Sequence, residues 1–144
     1  MPYQKTGFYK KSPIRSFKDL EIYQKTFSAS VEVMKKIIPK MQGKESPLRD
    51  QIIDCCLLIP NLIAEAYSRR FDDKNSSYKL IEDAMVKSNN MVVYLEQARD
   101  IFDEEVSKVV VEELTKEYMR TRTKMLNLVK AWKRFEEGDY KNKK

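Results

Sequence analysis

The chain has 144 residues, 42% hydrophobic and 35% charged, with no histidine. This composition suits one folded domain rather than a disordered chain, and it excludes Ser-His and Cys-His nucleophile pairs, the usual neutral-pH proton shuttle and most transition-metal sites. The net charge is +6 and lies wholly outside positions 17–137: residues 1–16 carry Lys5, Lys10, Lys11 and Arg15 without an acid, and residues 138–144 carry Lys141, Lys143 and Lys144 against Asp139.

Glycine occurs only at 7, 43 and 138 and proline only at 2, 13, 39, 47 and 60, so residues 61–137 contain no breaker and are predicted to be helical. The first helix is expected from Ser16, which with Asp19 resembles a capping box. Its core stripe is predicted as Leu20, Tyr23, Phe27, Val31, Met34, Ile37 or Ile38, and Met41. Pro39 should bend or end it, and Gly43 lies just beyond.

The second helix should start at Ser46 as N-cap with Pro47 in the first helical position. Leu48, Ile52, Cys55, Ile59, Leu62 and Ala66 form one apolar stripe, and Ile53, Cys56, Leu57, Ile63 and Tyr67 form a second. A helix this apolar buries more than one face, and a single bundle has only one core. The surplus face is therefore expected at a subunit interface made by Ile53, Cys56, Leu57, Pro60, Asn61, Ile63, Glu65 and Tyr67. Pro60 should kink the helix. Cys55 and Cys56 are neighbours pointing about 100° apart on a helix, so buried free thiols are expected rather than a disulfide or a zinc site.

The polar break Asp72–Ser76 offers N-caps for a third helix, whose core is predicted as Tyr78, Ile81, Met85, Ser88, Val92, Leu95 and Phe102. Asp103, Glu104 and Glu105 are expected to open the fourth, with the helix dipole favouring acids there. Val106, Val110, Leu114, Tyr118, Met125, Leu128 or Val129, Trp132 and Phe135 continue the stripe. One helix running continuously through the third and fourth is the structural alternative. The expected fold is all-α: an antiparallel up-down, left-handed four-helix bundle over residues 16–137, with flexible basic tails at 1–15 and 138–144.

Ser16-Phe17-Lys18-Asp19-Leu20-Glu21-Ile22-Tyr23-Gln24-Lys25 resembles the SFxDLxVWQK opening of the 23S rRNA intervening-sequence proteins, also called four helix bundle proteins. Ile59-Pro60-Asn61-Leu62-Ile63-Ala64-Glu65-Ala66-Tyr67-Ser68-Arg69-Arg70 is similar to that family's second-helix signature, close to IPSNIAEGxGRR, and Leu48-Arg49-Asp50-Gln51-Ile52 to its lead-in. The likeness covers roughly residues 16–135. The chain departs where the family has Asn and Gly, with Leu62 and Ala66, and in the third helix around Lys87, Ser88, Asn89 and Asn90. The resemblance implies a four-helix bundle assembled into a ring, typically a pentamer. Some related proteins serve as accessory subunits of reverse transcriptases in diversity-generating retroelements.

No apolar run approaches the roughly 18–20 residues that span a bilayer, and the N-terminus lacks the apolar stretch of a secretory signal. A cytoplasmic protein without a membrane partner is expected. The best polar set for chemistry is Asp54, Glu65, Arg69 and Arg70, but Glu65 and Arg69 stand four apart as a helix-surface ion pair. No enzyme activity, cofactor, metal or small-molecule substrate is expected. The expected partners are further copies of the chain, in a pentamer, and RNA or a nucleic-acid enzyme. Contacts to nucleic acid are assigned to Lys5, Lys10, Lys11, Arg15, Arg69, Arg70, Arg120, Lys124 and Arg134, with Tyr3, Phe8 and Tyr9 interleaved among the N-terminal lysines to stack bases. The alternative is an accessory subunit that binds protein through the bundle body.

Overall fold

The computed structural model describes residues 13–41 and 46–142, with side chains as far as 136. Among these there are only helices and turns. The first helical segment is composite: a 3₁₀ turn at Phe17–Asp19, α1 at Glu21–Glu32, a π turn at Val33–Ile37 and a 3₁₀ turn at Ile38–Met41. Then come α2 at Pro47–Arg69, α3 at Lys74–Ile101 and α4 at Lys108–Asn142. α1 packs on α2 and α4, α2 on α3, and α3 on α4, so the four segments enclose one core.

Local chemistry sets most of these boundaries. The capping box forms: Ser16 Oγ accepts from the Lys18 N–H at 3.2 Å, and Asp19 Oδ2 accepts from the Ser16 N–H at 3.3 Å. It holds the short 3₁₀ turn, and α1 itself begins only at Glu21. Pro39 has no N–H to offer the carbonyl four residues back, and the helix widens before it. The Ile38 N–H reaches the Val33 carbonyl, one residue further than in an α-helix. That extra residue turns both Ile37 and Ile38 into the core. Asp73 caps α3 by accepting from the Ser76 N–H at 3.1 Å. Ser46 stands in the N-cap position of α2, but its side chain makes no capping bond.

Several expectations are corrected. α3 and α4 are separate: Phe102 to Ser107 form the connection, so Asp103, Glu104 and Glu105 lie in the turn. α4 starts at Lys108, where Ser107 Oγ accepts from the Val110 N–H at 3.2 Å. The backbone of α4 continues through Gly138 to Asn142, five residues beyond the expected end of the bundle at 137. Pro60 stands inside α2, as in the expected second helix, and the Asn61 Nδ2 amide donates to the Leu57 carbonyl beside it.

The core stripe of α1 is rotated from the expected one. Ile22, Thr26, Ala29, Ser30, Val33 and Ile37 are buried, whereas Phe27 is half exposed and Tyr23, Val31 and Met34 only part-buried. Aromatic bulk misplaced the stripe: small Ala29 and Ser30 face inward, and Thr26 and Ser30 satisfy their hydroxyls on the carbonyls of Ile22 and Phe27. In α3 the inward residues are Ser77, Ile81, Ala84, Ser88, Met91, Leu95 and Ala98, spaced alternately four and three apart. Tyr78, Met85, Val92 and Phe102 flank that line and are only part-buried. α4 buries Val106-side packing through Val111, Leu114, Tyr118, Thr121, Met125 and Val129, while Phe135 stands outside the core.

Three residues assigned to a subunit contact belong instead to the chain's own core: Cys56, Pro60 and Ile63 are buried without a partner chain. α2 is broadly apolar because it is wedged between two neighbours. The Cys55 thiol reaches the Lys87 carbonyl and the Ser77 hydroxyl donates to the Ala66 carbonyl, which fixes the flank facing α3. α2 also packs on α1. Of the remaining residues assigned to the contact, Ile53 and Tyr67 are part-buried, and Leu57, Asn61 and Glu65 are exposed.

Both cysteines are free and buried. Burial pushes the Cys55 thiol up to about 11 and the Cys56 thiol up to about 12, so both stay protonated and unreactive near neutral pH. Tyr118 is buried with its hydroxyl lacking a hydrogen-bond partner among the described residues.

Three outcomes follow. Ile63→Ala should destabilise by about 3 kcal/mol in urea unfolding, the scale of a core truncation, while Leu57→Ala changes the monomer by less than ~1 kcal/mol. Tyr118→Phe, which removes an unpaired buried hydroxyl, should leave stability unchanged or raise it by about 1 kcal/mol. A thiol reagent at neutral pH should modify the folded chain slowly, and both cysteines rapidly once urea unfolds it.

Candidate nucleic-acid interface

At one end of the bundle α4 outruns the first helix. Lys124 of α4 pairs with Glu21 at the start of α1, so the α4 residues beyond Lys124 extend past α1. Among the described residues, none of the first helical segment lines the space between the end of α2, the start of α3 and this last part of α4. A cavity of about 290 Å³ opens there, lined by Arg70, Phe71, Lys74, Tyr78, Trp132, Phe135 and Glu136. Its size sits at the lower end of small-molecule sites, roughly 300–1,000 Å³.

Each element contributes a different kind of group. The end of α2 presents Arg70, whose guanidinium carbon lies 3.6 Å from the Tyr67 ring centroid and 4.1 Å from that of Phe71. Its Nη1 donates to the Tyr67 carbonyl at 2.6 Å, which fixes the side chain against the helix end. The first turns of α3 supply Lys74 and Tyr78. From α4, Glu136 closes a small network: Tyr78 Oη donates to Glu136 Oε2 at 2.5 Å, and Lys74 Nζ lies 3.5 Å from Glu136 Oε1. Lys133 Nζ stands 5.1 Å from the Tyr78 ring centroid. Lys74 and Lys133 thus act on a single carboxylate, and with Arg70 also in the lining the site carries excess positive charge.

Phe135 and Phe71 are 78% and 75% exposed, the two most exposed large apolar side chains among the described residues. Leaving two phenyl rings in water costs on the order of 1.5–3 kcal/mol each relative to full burial. Both line the same cavity, beside Trp132.

The network sets the acidity of its members. The hydrogen bond from Tyr78 and the charges of Lys74 and Lys133 hold the Glu136 carboxyl below its ordinary range. Burial, with Glu136 next in order, raises the Tyr78 phenol to about 12.

The basic residues singled out in the sequence are dispersed. Only Arg70 enters the cavity. Arg69 turns to Glu65 at 3.0 Å, Arg120 lies 3.8 Å from Glu117, and Lys124 is engaged by Glu21. Arg134 is exposed on α4, and Arg15 is exposed before the 3₁₀ turn. Lys5, Lys10 and Lys11 lie outside the described residues. Phe71, Lys74, Tyr78, Trp132, Phe135 and Glu136 were not legible as a site. One signal did exist: Met125, Val129, Trp132 and Glu136 continue the inward spacing of α4, and Phe135 falls off it.

A second feature lies on the α1–α2 side. Phe17, Tyr23 and Phe27 form an aromatic ladder, with centroids 4.9 Å apart and edge-on for the first pair and 5.9 Å apart for the second. Phe27 and Leu57 are 50% and 44% exposed. Among the described residues no helix is long and apolar enough to cross a membrane, and no group of three or more Cys, Asp or Glu could hold a metal ion. Compared with protein-family models, curated proteins and solved structures, the chain matches none.

The pH behaviour of the cavity has a definite sign. Glu136 binds its proton less tightly when folded, so its contribution is present above the ordinary carboxylate range and is lost as pH falls through the depressed folded value. Tyr78 is the reverse case: its contribution is complete below its ordinary pKa of 10.0 and is lost as pH rises toward about 12. The fluorescence of Trp132, the chain's one tryptophan, should be flat between about pH 5 and 9, and Glu136→Gln should abolish the acid limb and move the alkaline limb to lower pH, because Glu136 helps raise the Tyr78 phenol.

Proposed function

We propose that this chain is a non-enzymatic, homo-oligomeric helical-bundle scaffold of the cytoplasm that binds RNA or a ribonucleoprotein. The single observation that carries the reading is the cavity at the open end, where exposed aromatic rings stand among Arg70, Lys74 and Lys133. Aromatic faces stack unpaired bases and cations hold the intervening phosphates, which is the chemistry of single-stranded nucleic-acid binding. The resemblance of the second helix to the 23S rRNA intervening-sequence proteins supports the same reading.

The proposed arrangement is an antiparallel up-down bundle with left-handed packing. The pairing of Lys74 and Tyr78 with Glu136, and of Asn89 with Arg122, supports opposite directions for α3 and α4. The alternating four-and-three spacing in α3 supports the left hand. Self-association, as a pentamer by the resemblance, would use the α1–α2 side, where Tyr23, Phe27, Ile53 and Leu57 leave apolar surface.

Fluorescence anisotropy with a labelled single-stranded RNA tests the first part. Affinity should fall steeply with salt, and a double Arg70→Ala, Lys74→Ala variant should bind at least tenfold more weakly with a shallower salt slope. Absence of binding at low salt, or a double variant that binds like wild type, would sink the reading. Light scattering tests the second part: wild type should exceed the mass of one chain, and Phe27→Glu with Leu57→Glu should reduce it to one.

A further inference from the structure

We infer that the cavity at the open end takes a single unpaired guanosine nucleotide, its base stacked on Trp132 and Phe135, its donor edge on Glu136 and its phosphate on Arg70 and Lys74. This deepens the RNA-binding reading and rests on it.

Charge excludes the first alternative. An aromatic cage that includes a carboxylate could hold an organic cation, but here Lys74 and Lys133 already act on that one carboxylate and Arg70 adds a third charge to the lining, so a further positive group would be repelled. A bare inorganic anion would make no use of Phe71, Trp132 and Phe135. A ligand that is both planar and anionic satisfies the two halves of the cavity together, and a nucleotide is such a ligand.

Glu136 then discriminates among bases. Tyr78 and Lys74 each take one direction on its two oxygens, and a carboxylate has about four acceptor sites. One acceptor site remains on each oxygen. Guanine presents two adjacent donors, N1–H and N2–H, that match two carboxylate oxygens side by side. Uracil places its single N–H between two carbonyls, which the carboxylate repels. Adenine and cytosine each set an amino group beside a ring acceptor. Only guanine meets the carboxylate with donors alone. The low acidity range of Glu136 keeps it ionised, and therefore purely accepting, across neutral pH.

The sole tryptophan, Trp132, lines the cavity and reports occupancy directly. GMP, AMP, CMP and UMP are titrated against its fluorescence on the full chain at low salt, beside a uridine oligoribonucleotide with and without one central guanosine. GMP should quench at concentrations about tenfold or more below the other three, the scale of one good bidentate contact. The guanosine-containing strand should exceed the plain one by a similar factor. Glu136→Gln, which replaces one acceptor with a donor, should level the four nucleotides while its circular dichroism stays unchanged. A guanosine effect confined to the strand identifies a residue of RNA as the ligand, and an equal effect of GMP identifies the free nucleotide. Equal quenching by all four nucleotides overturns the guanine assignment while leaving RNA binding standing. Salt-dependent RNA binding without any change at Trp132 overturns the cavity as the site. Loss of all RNA binding removes the parent reading as well. The nucleotide ranking is read on the wild-type chain, so it stands even where a variant fails to fold.

Discussion

The unequal length of the helices is the constraint from which the cavity at one end of this molecule follows. α4 spans 35 residues, and α1 only 12 before the chain widens at the π turn. At 1.5 Å per residue, α4 extends on the order of 50 Å, and Lys124 already meets the beginning of α1. A bundle of four equal helices would cover its aromatic residues at every level. Among the described residues the first helical segment contributes nothing to the lining at this end, and Trp132, Phe135 and Phe71 line a cavity instead of completing a core.

The rest of the fold supports that end rather than competing with it. α2 is held on both flanks, and Ile52, Ile59 and Ile63 are fully buried along its length. The buried hydroxyls of α1 and α3 are satisfied on nearby carbonyls, as with Thr26, Ser30, Ser77 and Ser88, so small residues bring the helices close without leaving orphan donors. The Tyr118 hydroxyl is the exception. At the open end, polar groups hold each other in place: Tyr78 and Lys74 both engage Glu136, and Arg70 is anchored to the Tyr67 carbonyl and two rings. Groups fixed in this way order the cavity by contacts within the chain, which in the proposed reading reduces the ordering cost of binding.

The α1–α2 side illustrates how surface and core are confused when a helix is read alone. In α1 the large residues Tyr23 and Phe27 lie on the outer flank, and small residues face inward. In α2 two apparent stripes merge into one broad buried face. On these two helices the large apolar side chains left exposed are Phe27, Leu57 and Leu58, fewer than the composition of α2 suggests.

The sequence by itself determined the all-helical class, the breaks before α2 and α3, the Ser16 cap and a cap for α3 somewhere within Asp72–Ser76, the disturbance at Pro39 and the buried free thiols. Each of these depends on residues close in the chain, where φ restriction, missing donors and side-chain caps act locally. Only the tertiary structure decided which flank of each helix is covered, because burial depends on the neighbour and not on periodicity alone. It moved Cys56, Pro60 and Ile63 from a supposed contact into the core and brought Phe135 out of it. It also assembled the cavity from Arg70 and Phe71, Lys74 and Tyr78, and Trp132 to Glu136, three stretches up to 66 positions apart. Their meeting is set by where α1 begins beside α4, a relation between lengths and packing that no single segment encodes.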